Sequence, residues 1–266
     1  MDAHASEGPL NFAHRGACRE APENTLAAFE RAVELGADGI ELDVQLSRDG
    51  EVVVIHDFHL ETTTDGEGPV RDKTLAELRE LDAGECFAPS FSGQRIPTLQ
   101  EVIDAVGHLL LLNIELKTAD VRDDGLAAAV LRIVEVAGLL ERAVLSSFNP
   151  LAIWRIKRLN PRVPAGLLYA PDSAFFLRRP WPRHFLQLEA LHPYHTDVDE
   201  RYMDWAGEKG YRIHTWTVDD PDRMRELALL GVDIVITNRP DLMSEVLAGE
   251  QSSSAEPQPA TAAKGG

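Results

Sequence analysis

Three carboxylates, two histidines and two cations stand where short apolar runs give out. Phe12-Ala13-His14-Arg15-Gly16 is an apolar approach ending in a His-Arg pair, and Val52-Val53-Val54-Ile55 is a β-branched run ending at His56-Asp57. In Ile40-Glu41-Leu42-Asp43-Val44 the two acids alternate with apolar residues, and Leu109 to Lys117 carries Asn113, Glu115 and Lys117 in the same alternation. Side chains two apart on a strand share a face, so Glu41 pairs with Asp43 and Glu115 with Lys117. Three carboxylates gathered in one place repel each other unless a cation intervenes. Glu41, Asp43 and Glu115 therefore read as oxygen ligands for one hard divalent ion, Mg²⁺ or Ca²⁺, with Mn²⁺ as a third candidate. Histidine titrates near neutrality, which makes His14 and His56 a candidate proton-transfer pair. Arg15 and Lys117 add fixed positive charge suited to an anionic phosphate. Taken singly, each acid is more often a rim ion-pair partner and each histidine more often a packed or exposed bystander, and each cation can be a neutraliser of the acids.

Elements able to bring these groups together follow from the periodicity. Leu10 to Ala13, Gly39 to Leu46, Leu109 to Lys117, Ala143 to Ser147, Ala165 to Tyr169, Ala190 to His192, Tyr211 to Val218 and Val232 to Thr237 read as strands. Helical spacing falls between them, at Glu23 to Leu35, Asp123 to Ala137, Pro150 to Leu159, Glu200 to Lys209 and Pro221 to Leu230. A weaker unit includes Phe175-Phe176-Leu177. Eight strands each followed by a helix predict an α/β fold, a (β/α)₈ TIM barrel, whose active sites lie at the carboxyl ends of the strands. A doubly wound open sheet is the alternative, but no G-x-G-x-x-G follows the first strand.

Arg48-Asp49-Gly50 is a hairpin turn, and the polar, Gly-containing stretch from Phe58 to Arg95, with one helix at Thr74 to Leu81, is too long for a simple connection. It reads as an insertion covering the mouth, and Thr98 with Glu101 reads as the capping box of the next helix. Residues 1–8 are expected to be flexible, 9–248 to form the domain, and the Ser, Ala, Pro and Gly-rich 249–266 to be a disordered tail. A net charge of -18 argues against a nucleic-acid partner. No segment resembles a secretory signal or reaches membrane-spanning length, so the expected location is cytoplasmic, with no stable membrane association. Cys18 and Cys86 have neither ligand spacing nor a disulfide framework around them.

Taken in order, His14-Arg15-Gly16, Pro22-Glu23-Asn24-Thr25, Glu41-Leu42-Asp43-Val44, Asp49-Gly50 with Val53, His56-Asp57, Glu115-Leu116-Lys117, Trp216-Thr217-Val218 and Thr237-Asn238-Arg239-Pro240 resemble glycerophosphodiester phosphodiesterases. The resemblance runs from about residue 10 to 248. It implies a metal-dependent barrel that cleaves small glycerophosphodiesters to glycerol 3-phosphate and an alcohol. Glu41, Asp43 and Glu115 would hold the metal, His14 and His56 carry protons, and Arg15 and Lys117 contact the phosphate. Phe148 and Trp216 would pack against the glycerol or alcohol, and His192 is a further substrate-contact candidate at a strand end. The departing alcohol is expected to face the polar stretch Thr62 to Gly68, with no deep pocket. Three positions depart from the family pattern: Thr62 where Arg is common, Asp219 where Asn is frequent, and Asn238 where Asp is often found. A related phospholipid-directed enzyme, of lysophospholipase D or sphingomyelinase D type, and a non-catalytic phosphate-binding barrel are the alternatives.

Overall fold

The structure is a computed structural model that describes residues 8–118, 121–171 and 180–254. Phe175-Phe176-Leu177, residues 1–7 and residues 255–266 lie outside the described residues. Nine strands form one sheet: β1 (Leu10–His14), β2 (Gly39–Leu46), β3 (Val52–Val54), β4 (Leu111–Leu116), β5 (Ala143–Ser147), β6 (Ala165–Tyr169), β7 (Ala190–Pro193), β8 (Arg212–Thr215) and β9 (Ile234–Thr237). All but β3 pair in parallel, and β1 pairs with both β2 and β9, which closes an eight-stranded barrel. β3 folds back antiparallel on β2 through the Asp49-Gly50 turn, where Gly50 takes a φ of 87°.

Alternation decides what each strand face meets. Ile40, Leu42 and Val44 of β2 and Leu112, Ile114 and Leu116 of β4 join the buried layer between barrel and helices, with Phe29, Val130, Ile153 and Leu227. Phe12, Ile234 and Ile236 point the other way and plug the barrel interior with Leu10, Leu111 and Trp216. The interior is thus packed rather than hollow, and cutting Phe12 to Ala would cost about 3–5 kcal/mol.

Among the described residues the α-helices are α1 (Leu26–Glu34), α2 (Leu75–Arg79), α3 (Leu99–Val102), α4 (Leu126–Val136), α5 (Pro150–Leu159), α6 (Glu200–Lys209), α7 (Pro221–Leu230) and α8 (Pro240–Ser254). Side chains of Thr25, Asn149, Asp199 and Asp220 cap α1, α5, α6 and α7 by accepting from first-turn amides, each worth about 1 kcal/mol. The Thr98–Glu101 capping box forms as expected, but α3 widens at once into a π-helical turn over Ile103–Gly107. Helix α1 starts three residues later than its periodicity predicts, because Pro22 to Thr25 is spent on a turn in which Asn24 takes a φ of 56°. The last helix runs through Ser254.

Between β3 and α3 the insertion carries a small core of its own, Val53, Ile55, Leu60, Val70, Leu78, Ala83 and Ile96. Among the described residues no helix is long and apolar enough to cross a membrane.

Candidate active site

Register assembles the site. His14 at the end of β1 lies opposite Glu41 of β2, and Asp43 of β2 lies opposite Glu115 of β4. One ligand oxygen from each of Glu41, Asp43 and Glu115 falls within 4.8 Å of the others. All three are buried, and Asp43 is 1% exposed. Burial, then the charges of Asp43 and Glu115, drive the Glu41 carboxyl well above its ordinary range. Burial likewise pushes Glu115 up to about 7, against the pull of Lys117. Burial would raise Asp43 too, but Lys117, His56, Arg15 and a hydrogen bond from Asn24 hold it below the ordinary value. Three crowded, acceptor-only oxygens, two of them driven up by burial and by repulsion from neighbouring acids, are a donor set that fits a hard divalent cation.

The two cations are tied into this cluster. Lys117 Nζ is 3.0 Å from Glu115 Oε1 and 3.7 Å from Asp43 Oδ1. Arg15 sits at a φ of 54°, a left-handed conformation that a non-glycine residue adopts at some cost. In that pose its amide donates to Glu41 Oε2 (3.2 Å), its guanidinium pairs with Glu23 (2.9 Å), and its Nε lies 3.4 Å from Asp43. Gly16 follows at a φ of 81°, packed so closely on the Ala28 backbone that an added Cβ would come within 2.7 Å of it.

His14 Nδ1 is hydrogen bonded to Asn238 Oδ1 (2.7 Å), and its Nε2 is 3.8 Å from Glu41 Oε2. Burial, followed by the neighbouring Arg15, lowers its pKa to about 4. His56 Nδ1 pairs with Asp57 Oδ1 at 2.6 Å, and Asp57 also receives a hydrogen bond from Thr62. Thr62 thereby acquires a role as a partner of Asp57.

Sequence reasoning assigned no role to two further residues here. Asn24 donates to Asp43 Oδ2 (3.0 Å) while accepting from the Asp43 amide (3.3 Å), clamping a proposed ligand. Gln45 Nε2 donates to the carbonyls of Ile55, His56 and Asp57 and holds the strand end that presents His56. Both were in view, Asn24 inside a quoted motif and Gln45 two residues beyond Asp43 on the same face.

On the far side of the mouth the rings of Phe148 and Trp216 meet edge to face at 5.4 Å, as two strand-end aromatics should. His192 does not join them. Its side chain is fully buried inside the barrel, 4.6 Å from the ring of His214, and burial lowers its pKa to about 3. Only its backbone carbonyl touches the wall, accepting from Trp216 Nε1 at 2.9 Å. The expectation that His192 contacts substrate meets a ring with no exposed surface, on the inward face of β7.

A cavity of about 420 Å³ adjoins Lys117, lined by Gln45, Leu46, Ser47, Arg48, Phe58, His59, Pro69, Arg71, Thr118 and Asp124. None of Thr62 to Gly68 lines it. The flanks of the insertion, brought together by pairing of His59 with Pro69, do so instead.

A parallel (β/α)₈ barrel with an acidic cluster, two histidines and two cations at the carboxyl ends of β1, β2, β3 and β4 defines a class of enzyme built to handle phosphate esters at its mouth. The glycerophosphoryl diester phosphodiesterase family model matches residues 14–242, and the chain belongs to that family of phosphoric diester hydrolases. It is 42% identical over 237 residues to a glycerophosphodiester phosphodiesterase of Caldanaerobacter subterraneus subsp. tengcongensis, covering 88% of this chain and 96% of that one. A Bacillus subtilis glycerophosphodiester phosphodiesterase is 31% identical over 255 residues, 90% of this chain and 87% of that one. Among solved structures, an Oleispira antarctica phosphodiesterase in complex with the product sn-glycerol-3-phosphate superposes with a TM-score of 0.80 at 31% identity, covering 91% of this chain and 97% of that one. A glycerophosphodiester phosphodiesterase from Agrobacterium tumefaciens gives 0.76 at 30% identity, covering 89% and 99%.

Proposed function

We propose that this protein hydrolyses small glycerophosphodiesters to glycerol 3-phosphate and an alcohol, with Glu41, Asp43 and Glu115 holding one divalent cation and His14 and His56 moving the protons. The observation that carries the reading is the convergence of the three ligand oxygens within 4.8 Å, with His14 Nε2 3.8 Å from one of the same carboxylates. When bound, the cation neutralises and polarises a phosphoryl oxygen. Arg15 and Lys117, already ion-paired at the cluster, add fixed charge against the negative charge that builds on phosphorus. One histidine takes a proton from the attacking oxygen while the other gives one to the leaving alkoxide. The attacking oxygen is glycerol's neighbouring hydroxyl: it forms a new bond to phosphorus as the alcohol departs with a proton, and water then opens the cyclic phosphate to glycerol 3-phosphate.

Phe148 and Trp216 offer an apolar wall for the glycerol carbons, and the cavity beside Lys117 receives the alcohol. Of the cavity's lining only Leu46, Phe58 and Pro69 are apolar, which favours a small polar alcohol over an acyl chain. Release of glycerol 3-phosphate from glycerophosphocholine, followed in chelated protein and after adding back Mg²⁺, Ca²⁺ or Mn²⁺ in turn, tests the reading. Turnover should vanish with chelation and return with at least one ion. Equal turnover in excess chelator rejects the metal, and no turnover of any glycerophosphodiester under any ion rejects the substrate class.

A further inference from the structure

We propose that Asp219, acting through Asn238, is a positioning pair that locks the ring and the tautomer of His14. The logic is one of donors and acceptors. An ionised carboxylate only accepts, and Asp219 takes the Asn238 backbone N–H (2.9 Å) and the Thr237 hydroxyl (3.2 Å) on Oδ1 and the Asn238 side-chain Nδ2 (2.8 Å) on Oδ2. Hydrogen bonds from Asn238 and Thr237 also hold its pKa below the ordinary range against the opposing effect of burial, so it is ionised at neutral pH. With Nδ2 committed to Asp219, the other end of the amide, Oδ1, is turned towards His14 Nδ1 at 2.7 Å. The Cys18 thiol donates to the same oxygen at 3.0 Å. An amide oxygen also only accepts, so Nδ1 of His14 carries the proton. In the neutral ring the lone pair then sits on Nε2, the nitrogen that faces Glu41 and the mouth.

Asp219 and Asn238 leave from the ends of β8 and β9, so this chain of bonds ties two strands to the histidine ending β1, across the barrel seam closed by β1 and β9. Exchanging acid and amide between the two positions would be conservative in a specific sense. Asn at 219 and Asp at 238 would give the same chain with one link reversed: the amide of residue 219 donating to the carboxylate of residue 238, which again accepts from His14 Nδ1. The single changes Asp219→Asn and Asn238→Asp lack this matching and leave two amides or two acids face to face.

The kinetic part of this inference rests on the proposed role of His14 as a proton carrier, whereas its tautomeric part does not depend on activity at all. Nitrogen-15 NMR of the imidazole, assigned with a His14→Gln control, reads which nitrogen is protonated. The native chain should show His14 protonated at Nδ1, and Asp219→Ala, or the isosteric Asp219→Asn if the alanine variant fails to fold, should show a mixture of tautomers. With glycerophosphocholine the same variants should lose about 10- to 100-fold in kcat with KM little changed, the scale on which partners that orient metal-bound histidines act. The double variant Asp219→Asn/Asn238→Asp should recover the Nδ1-protonated signature and most of the lost kcat. An unaltered tautomer in the single variants, or a double variant no better than either single one, overturns the proposal. A native chain without turnover would count against the proposed reaction and leave the NMR reading to decide this pair.

Discussion

Glu115→Gln should make the metal-free protein more tolerant of alkaline pH. In the folded chain burial holds the Glu115 proton up to about 7, whereas an ordinary glutamate gives it up near 4.5. A carboxyl raised in this way makes its full contribution to stability below about 4.5 and loses it as pH rises through about 7. Between about pH 5 and about pH 8 the loss comes to about 2.5 kcal/mol at 1.36 kcal/mol per tenfold change in proton binding. Asp43, held below its ordinary value, is ionised in both folded and unfolded chains over that window and adds no slope. Glu41 shifts in the same direction as Glu115, and removing the Glu115 charge relieves it further. The histidines His14, His192 and His214, all lowered, work in the opposite sense, being costly at acid pH, but they are common to both proteins and cancel in the comparison. The assay is thermal unfolding of both proteins in excess chelator at stepped pH, read as the difference in Tm. That difference should grow in favour of Glu115→Gln by roughly 5–10 °C from the acid to the alkaline end. A difference that stays flat with pH would mean that Glu115 is already ionised in the empty site, and the crowding argument for a cation would lose its basis.

Other outcomes follow from the same geometry. His14→Ala and His56→Ala should each lower turnover by about 10²-fold or more with circular dichroism unchanged, and near-native activity in either would make that histidine a bystander. Diesters lacking the neighbouring hydroxyl, such as a 2-deoxy analogue or bis(p-nitrophenyl) phosphate, should be poor substrates beside glycerophosphocholine, because internal attack has its entropy already lost before the barrier. Comparable rates would replace it with direct attack by water.

Legibility in the sequence tracked the physics. Strands β2, β5 and β6 and helices α5, α6 and α7 have the bounds their patterns predict, the helices because helical spacing starts at a Pro or just after an Asp cap and stops at Asn160, Gly210 and Gly231. Glu41, Asp43 and Glu115 were visible as a set, since period two puts acids on one face. What alternation cannot reveal is depth. His192 alternates like a mouth residue and stands next to last in β7, yet its ring is fully buried against His214, a burial that only the packing of neighbouring strands decides. Nor does spacing show partners that are far apart in sequence. The link from Asn238 to His14 spans 224 residues, and Asp219 and Asn238 read as two unconnected residues until the barrel closes and brings them together.

Calorimetric titration of the chelated protein with Mg²⁺, Ca²⁺ and Mn²⁺, with turnover of glycerophosphocholine measured on the same samples, tests the central claim most directly. One ion bound per chain, lost together with turnover in Glu41→Gln/Asp43→Asn, is the result predicted by three buried carboxylates whose ligand oxygens lie within 4.8 Å of one another. Absence of binding combined with undiminished turnover in chelator, or native affinity in the double variant, would contradict it.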